Sequence, residues 1–315
     1  MKSQVEIRKL GWVFKPKGDQ AWSTSHAQVP FAMDMGNGKI RVYFSTRDQF
    51  GQSGVSFVEV SFEDPTKVDY VHNDLCFKHG GIGMFDETGA MPSWFIKDNN
   101  SLLLYYTGWN KSESAAYRLA IGLAESLDNG ITFKRKFTGP ILDRGPADQV
   151  WVGQPCVMNE DGKWKMWYLS CSKVEIISGR PEPFYNVRYA ESTDGVNWMR
   201  LEKTCIDFDL NTDAIGRPCV WRFNSKYYML HSNRKADGYR DKPESGYRIC
   251  LSVSDNGIDW NQDVDFKVPK DTPWESIMNE YTSVLPTKEN GKFLVFYNGD
   301  GFGGAGFGVM ELKFH

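Results

Sequence analysis

The 315-residue sequence predicts an all-β fold: a single five-bladed β-propeller whose ring is closed by the N-terminal strand. Three observations carry this expectation. A hairpin phrase recurs along the chain, a turn phrase recurs downstream of it, and no stretch holds a sustained helical period.

The hairpin phrase reads Pro, a few apolar residues, a polar turn, then an alternating aromatic run. It appears as VPFAMDMGNGKIRVYFST, MPSWFIKDNNSLLLYYTG, QPCVMNEDGKWKMWYLS and RPCVWRFNSKYYMLHSN. SVLPTKENGKFLVFYNG keeps the hairpin without the Pro at that position. Alternation broken by turns at this spacing is the mark of antiparallel strands. The turn phrase appears as ESLDNGITFKR, ESTDGVNWMR and SVSDNGIDWNQ, where Gly supplies the positive φ of a tight turn.

Together the phrases define units of roughly fifty to sixty residues, a length suited to propeller blades. The expected blades span about 20–70, 83–138, 148–203, 212–265 and 275–315, with strand 5–16 completing the last. No Pro/Gly/Ser-rich linker divides the chain, so one domain is expected. The segment GDGFGGAGFG has a glycine spacing like that of a phosphate-binding loop. It lies between two strands, whereas a dinucleotide fingerprint opens a helix, so it reads as a structural connection.

Composition bounds the partners. The formal charge is -3, the pI is near 6 and no basic run occurs, which argues against nucleic acid. The N-terminus has no apolar run long enough for a signal peptide, and no stretch reaches transmembrane length. Six Cys without CxxC spacing fit buried free thiols in a reducing compartment, so a cytoplasmic protein without membrane contact is expected. The aromatic content of 14%, with eleven Trp, serves either β-rich cores or sugar stacking.

In a propeller the first strand of each blade lines the axis, and its start lies beside the end of the second strand. Alignment on Lys39, Ser101, Lys163, Lys226 and Lys292 makes Gln154 and Arg217 equivalent, in VGQPCV and IGRPCV. The matching places elsewhere hold His26 and Gln28, Asp86 and Glu87, and Glu280 and Tyr281. Arg47, Trp109 and Arg234 end the second strands. A polar mouth rimmed by aromatics is therefore expected, as for a small-molecule site. Arg–carboxylate pairs tying blades together would account for the same charges.

The inner-strand X-Pro motif and the ES-DG-W strands resemble the furanosidase-type glycoside hydrolases of families 43, 32, 62 and 68. They also resemble the related mannoside phosphorylases of family 130. GMFDETGAMPSW and PWESIMNEYTS are similar to phrases in uncharacterised bacterial propellers associated with surface-polysaccharide synthesis. The resemblance implies a blade-one Asp as base or nucleophile, a blade-two Asp that tunes the acid, and a blade-three Glu as acid. Here Gln28 and His26 stand near the first position, Asp86 near the second and Gln154 near the third. An amide does not titrate usefully, so the three-carboxylate mechanism does not transfer directly.

Asp86, Glu280 and Glu275 remain the candidate catalytic carboxylates. Their separation would decide between retention at roughly 5–5.5 Å and inversion at roughly 6.5–9.5 Å. His26, Gln28, Arg47, Glu87, Trp109, Gln154, Arg217, Arg234 and Tyr281 are the candidate substrate-binding residues. The Arg side chains suit an anionic or phosphorylated sugar. Neither a cofactor nor an obligate metal is expected, and His231 reads as a core residue. An enzyme acting on a glycosidic linkage, as hydrolase, phosphorylase or transferase, is the first expectation. A non-catalytic glycan or sugar-nucleotide binding propeller is the alternative, and a scaffold is the third.

Overall fold

The computed structural model describes residues 5–315, and every regular element among them is a β-strand. In chain order these are β1 (Val5–Phe14), β2 (Ser25–Gly36), β3 (Lys39–Arg47), β4 (Ser53–Ser61), β5 (Val68–Val71), β6 (Gly89–Asp98) and β7 (Ser101–Lys111). Then come β8 (Tyr117–Ser126), β9 (Lys134–Arg135), β10 (Trp151–Glu160), β11 (Lys163–Ile177), β12 (Arg180–Ser192) and β13 (Met199–Ile206). The rest are β14 (Ala214–Phe223), β15 (Lys226–Arg234), β16 (Arg248–Ser254), β17 (Asn261–Asp263), β18 (Glu280–Pro286), β19 (Lys292–Asn298) and β20 (Phe307–Phe314).

Strands pair antiparallel in the order β2-β3-β4-β5, β6-β7-β8-β9, β10-β11-β12-β13 and β14-β15-β16-β17. The last unit runs β18-β19-β20 and continues into β1, which pairs with β20 from Val5↔Phe314 to Phe14↔Phe307. Single parallel contacts, Ser53↔Gly89 and Tyr185↔Ala214, join neighbouring units. The first strands pack on one another in sequence, β2 on β6, β6 on β10, β10 on β14 and β14 on β18, and β18 packs on β2.

The core is divided among the units. Val42, Phe44, Phe296, Phe307 and Val13 bury one layer between the first and last units. Tyr43, Phe57, Leu104 and Tyr106 bury the next, and Leu103, Tyr105, Val152 and Met166 the one after. Trp151, Trp167, Ile215 and Met229 follow, then Leu230, Leu251, Val295 and Leu312. Each strand contributes alternate side chains to the layers on its two faces, as the period of two requires.

The repeated turn phrase latches unit to unit. In each copy a Ser hydroxyl (Ser126, Ser192, Ser254) accepts the amide of Gly130, Gly195 or Gly257, at 2.8, 2.9 and 2.9 Å. Those glycines take φ of 80, 73 and 77°. Their carbonyls accept hydrogen bonds from the preceding unit: Tyr43 Oη at 3.1 Å, Tyr105 Oη at 2.9 Å and Trp167 Nε1 at 2.7 Å. The turn needs glycine twice over, for the left-handed backbone and for room beside the ring. All six cysteines are free and buried.

Candidate functional site

The first strands carry a shared irregularity. Ladder register shifts between Gly153 and Cys156 in β10, between Gly216 and Cys219 in β14, and between Glu280 and Ser283 in β18. Inside these bulges Gln154, Arg217 and Tyr281 take positive φ of 48, 36 and 56°. In β2, His26 and Val29 do the same at 64 and 58°. A bulge re-aims a side chain away from the regular alternation, and left-handed backbone on a branched or bulky residue costs energy. The chain places that strain repeatedly at one level of the molecule.

A cavity of about 310 Å³ opens beside these bulges. Gln28, Arg47, Trp109, Trp151, Gln154, Arg234 and Tyr281 line it, together with Tyr117, Tyr185, Tyr239, Arg240, Tyr247 and Phe302. Among the described residues no Asp or Glu belongs to its wall. The volume sits at the small end of ligand sites.

Arg47 donates from Nη2 to Gln28 Oε1 at 3.4 Å and has no carboxylate partner among the described residues. Burial lowers its pKa from the ordinary value. Arg234 is enclosed by rings, with Cζ 3.9 Å from the Tyr239 centroid. It donates to Tyr247 Oη at 3.2 Å, Lys235 O at 2.9 Å and Pro183 O at 3.1 Å. Tyr185 and Tyr247 share a hydrogen bond between their hydroxyls. Arg240 is neutralised by Glu182, which also accepts from Tyr239 Oη at 3.0 Å. Trp109 Nε1 donates to Ser53 Oγ at 2.8 Å.

The remaining expected residues lie off the wall. Asp86 is fully buried and held by the Nε (2.9 Å) and Nη2 of Arg135. Gly80 and Gly108 close around it, since a Cβ on either would collide with its side chain. Glu87 caps a turn by accepting Gly83 N at 2.7 Å. Glu275 pairs with Lys9 at 2.6 Å and accepts from Thr272 Oγ1 at 2.8 Å and Tyr297 Oη at 3.3 Å.

Arg217 crosses to other first strands, donating to Pro30 O at 2.8 Å, Tyr281 O at 3.3 Å and Ser93 O at 3.4 Å. His26 Nδ1 shares a hydrogen bond with Ser25 Oγ at 2.9 Å. Burial, then Arg47 and Lys15, lower its pKa to about 4. His231 is buried between Asn233 Oδ1 (2.7 Å) and Ser252 Oγ (3.0 Å). Among the described residues no three His, Cys, Asp or Glu side chains gather as a metal site.

Glu280 differs from the other carboxylates. It is fully buried, and neither oxygen has a hydrogen-bond donor in bonding geometry. Burial pushes its pKa well above the carboxylate range, against the opposing pull of Arg234 and of the Tyr281 side chain. It is adjacent in sequence to wall residue Tyr281 and is not itself on the wall.

Sequence reasoning missed Tyr117, Tyr185, Tyr239, Arg240, Tyr247 and Phe302. The first two lie on third strands, and the others lie on or next to connections between strands, outside the aligned first and second strands. Their one visible signal was an aromatic residue in a connection otherwise rich in Gly, Asp and Lys.

No family model matches the chain. The Uncharacterized protein Rv1502 of Mycobacterium tuberculosis (strain ATCC 25618 / H37Rv) is 33% identical over 310 residues, 97% of this chain and 99% of that protein. A 111-residue stretch is 33% identical to the 1,2-beta-oligomannan phosphorylase of Thermoanaerobacter sp. (strain X514), covering 35% of this chain and 33% of that one. A glycosyl hydrolase from Bacteroides ovatus superposes with a TM-score of 0.72 at 15% identity, over 97% of this chain and 93% of that structure. A thermostable family-43 glycoside hydrolase does so with a TM-score of 0.65 at 16% identity, over 96% and 92%. The chain thus belongs to the family of the mycobacterial protein Rv1502 and carries the fold of the glycoside-hydrolase β-propellers.

Proposed function

We propose that this protein is a carbohydrate-active enzyme that acts on a glycosidic linkage and holds an anion, phosphate or the charged group of a sugar, at Arg47. The observation that carries the reading is the cavity: aromatic walls and a guanidinium without a carboxylate partner, with no carboxylate on the wall. A paired-carboxylate hydrolysis needs two acids facing the substrate. Transfer to phosphate needs a cation instead, and the stretch shared with the oligomannan phosphorylase points the same way.

In such a transfer a phosphate oxygen bonds to the anomeric carbon as the glycosidic C–O bond breaks. The proton carried by the phosphate ends on the leaving oxygen, so atoms and charge balance without a second acid. Glu280, buried next to wall residue Tyr281 in sequence and with its pKa raised by burial, fits as a relay that passes its proton toward the leaving oxygen and takes up the one the phosphate carried. Asp86 and Glu275 fit structural roles, with Arg135 and Lys9. Gln28, Gln154 and Trp109 fit as contacts to sugar hydroxyls and faces. The same reading takes the antiparallel units as five blades of one ring closed by β1, supported by the β1–β20 ladder and the circuit of first-strand packing.

The test is turnover of manno-oligosaccharides with and without phosphate. Expected are phosphate-dependent cleavage, a KM for phosphate raised about tenfold or more in Arg47→Ala, and a large loss of kcat in Glu280→Gln. Phosphate-independent turnover that is unchanged in Arg47→Ala would sink the reading. Gln28 and Gln154 on the wall favour one second reading, a binding propeller without chemistry. Saturable sugar binding with no turnover would select it.

A further inference from the structure

The glycine-rich segment GDGFGGAGFG, read from sequence as a connection, brings one large side chain to the cavity. Phe302 lines the wall, with its ring centroid 6.0 Å from that of Tyr239 and 6.4 Å from that of Tyr247. Its φ is 57°, while Gly301, Gly303 and Gly306 take 69, 85 and 92°. Left-handed backbone is natural to glycine and unfavourable for phenylalanine. Glycine would take this backbone without strain, so the chain accepts the strain to set a ring on Tyr239 and Tyr247 at the cavity wall.

The loop is also firmly held. Asp300 accepts Ser276 N and Oγ, Ile277 N and Met278 N at 2.8–3.0 Å. Gly303 O accepts Ala27 N at 2.9 Å, and Trp12 Nε1 donates to Ala305 O at 3.0 Å. A Cβ on Gly303 would meet Ala27 O and Gln28 Cα at 2.8 Å, so the backbone lies directly against the Gln28–Arg47 corner. The loop presents Phe302 as a fixed part of the cavity wall that Arg47 also lines. Strain held in place by an over-determined surrounding is a mark of function.

We infer that Phe302 is a specificity-determining residue whose ring stacks on the apolar face of a sugar bound in the cavity. The inference rests on the reading that the cavity takes a carbohydrate, and it adds that the ring, and not only the anion, is recognised. An aromatic face suits the C–H face of a pyranose or furanose, and a rigid platform loses little entropy on binding.

The experiment is calorimetric titration of the full chain with methyl α-D-mannopyranoside, methyl β-D-glucopyranoside, β-1,2-mannobiose and inorganic phosphate. The wild type is expected to bind at least one neutral glycoside. Phe302→Gly and Phe302→Ala should weaken that binding about tenfold or more, while Phe302→Tyr stays within about threefold. Phe302→Gly should still unfold cooperatively, because Asp300 and Gly303 hold the loop through bonds that do not involve the ring, and should bind phosphate as the wild type does. Unchanged glycoside affinity in Phe302→Gly overturns the inference, as does a wild type that binds none of the three sugars. Sugar binding that depends on Phe302 without any phosphate binding would instead refute the anion role of Arg47 and leave this inference standing.

Discussion

Arg217 keeps its charge where water cannot reach it. Its guanidinium donates to backbone carbonyls of three other first strands, and burial lowers its pKa to about 10, still above neutrality. A histidine in a similar setting gives up its charge. Burial brings His231 down to about 4, only partly countered by its bond to Asn233. Between about 4 and the ordinary 6.5 the unfolded chain binds a proton that the folded chain refuses. Stability is therefore full above that window and lost as pH falls through it, by up to about 3 kcal/mol. His231→Gln should lower the slope of stability against pH between 7 and 4.5, measured by urea unfolding. Some slope should persist, because His26 shifts in the same direction. An unchanged slope would mean that His231 is protonated in the fold.

At the scale of the element, the turn latches make a sharper demand than the hairpins. Gly195 stands at φ 73°, and a Cβ there would lie 2.7 Å from Tyr105 Oη and 3.1 Å from Trp164. Gly162, at φ 81° in the β10–β11 turn, has no atom within 4 Å of that position. Gly162→Ala should cost about 1 kcal/mol and Gly195→Ala about 2–3 kcal/mol, read from denaturant midpoints. Equal losses would show that the latch adds nothing beyond backbone strain. The strand starts at Lys39, Ser101, Lys163, Lys226 and Lys292 were legible because turn chemistry and alternation are local. Phe302 was illegible because its loop reads as pure connection until Gln28, distant in sequence, is seen against it. For Asp86 the converse part was hidden, its partner. Its place in the repeat is right for the mouth, but Arg135, on a fourth strand, draws the carboxylate away.

At the scale of the molecule, β1 supplies the edge partner of β20, joining the first and last described strands in one sheet. A protein cut to begin at residue 15 would leave β20 paired with β19 alone, an open edge, and uncover apolar side chains such as Val309, now fully buried. Such a truncation should lower the melting temperature sharply and promote aggregation, detectable by calorimetry and light scattering. A melting temperature equal to the full chain's would show that β1 is a passive addition.

The bulges at Gln154, Arg217 and Tyr281 have a consequence for how such a protein changes over time. Left-handed backbone there is imposed by the surrounding ladder, and Gln, Arg and Tyr all occupy it. These positions behave as sockets, where a point mutation exchanges one inward-facing group for another without rewriting the hydrogen-bond ladder. Reaction type can then drift among descendants of one scaffold while the fold stands still, and an acid at position 154 lies a single codon change from glutamine.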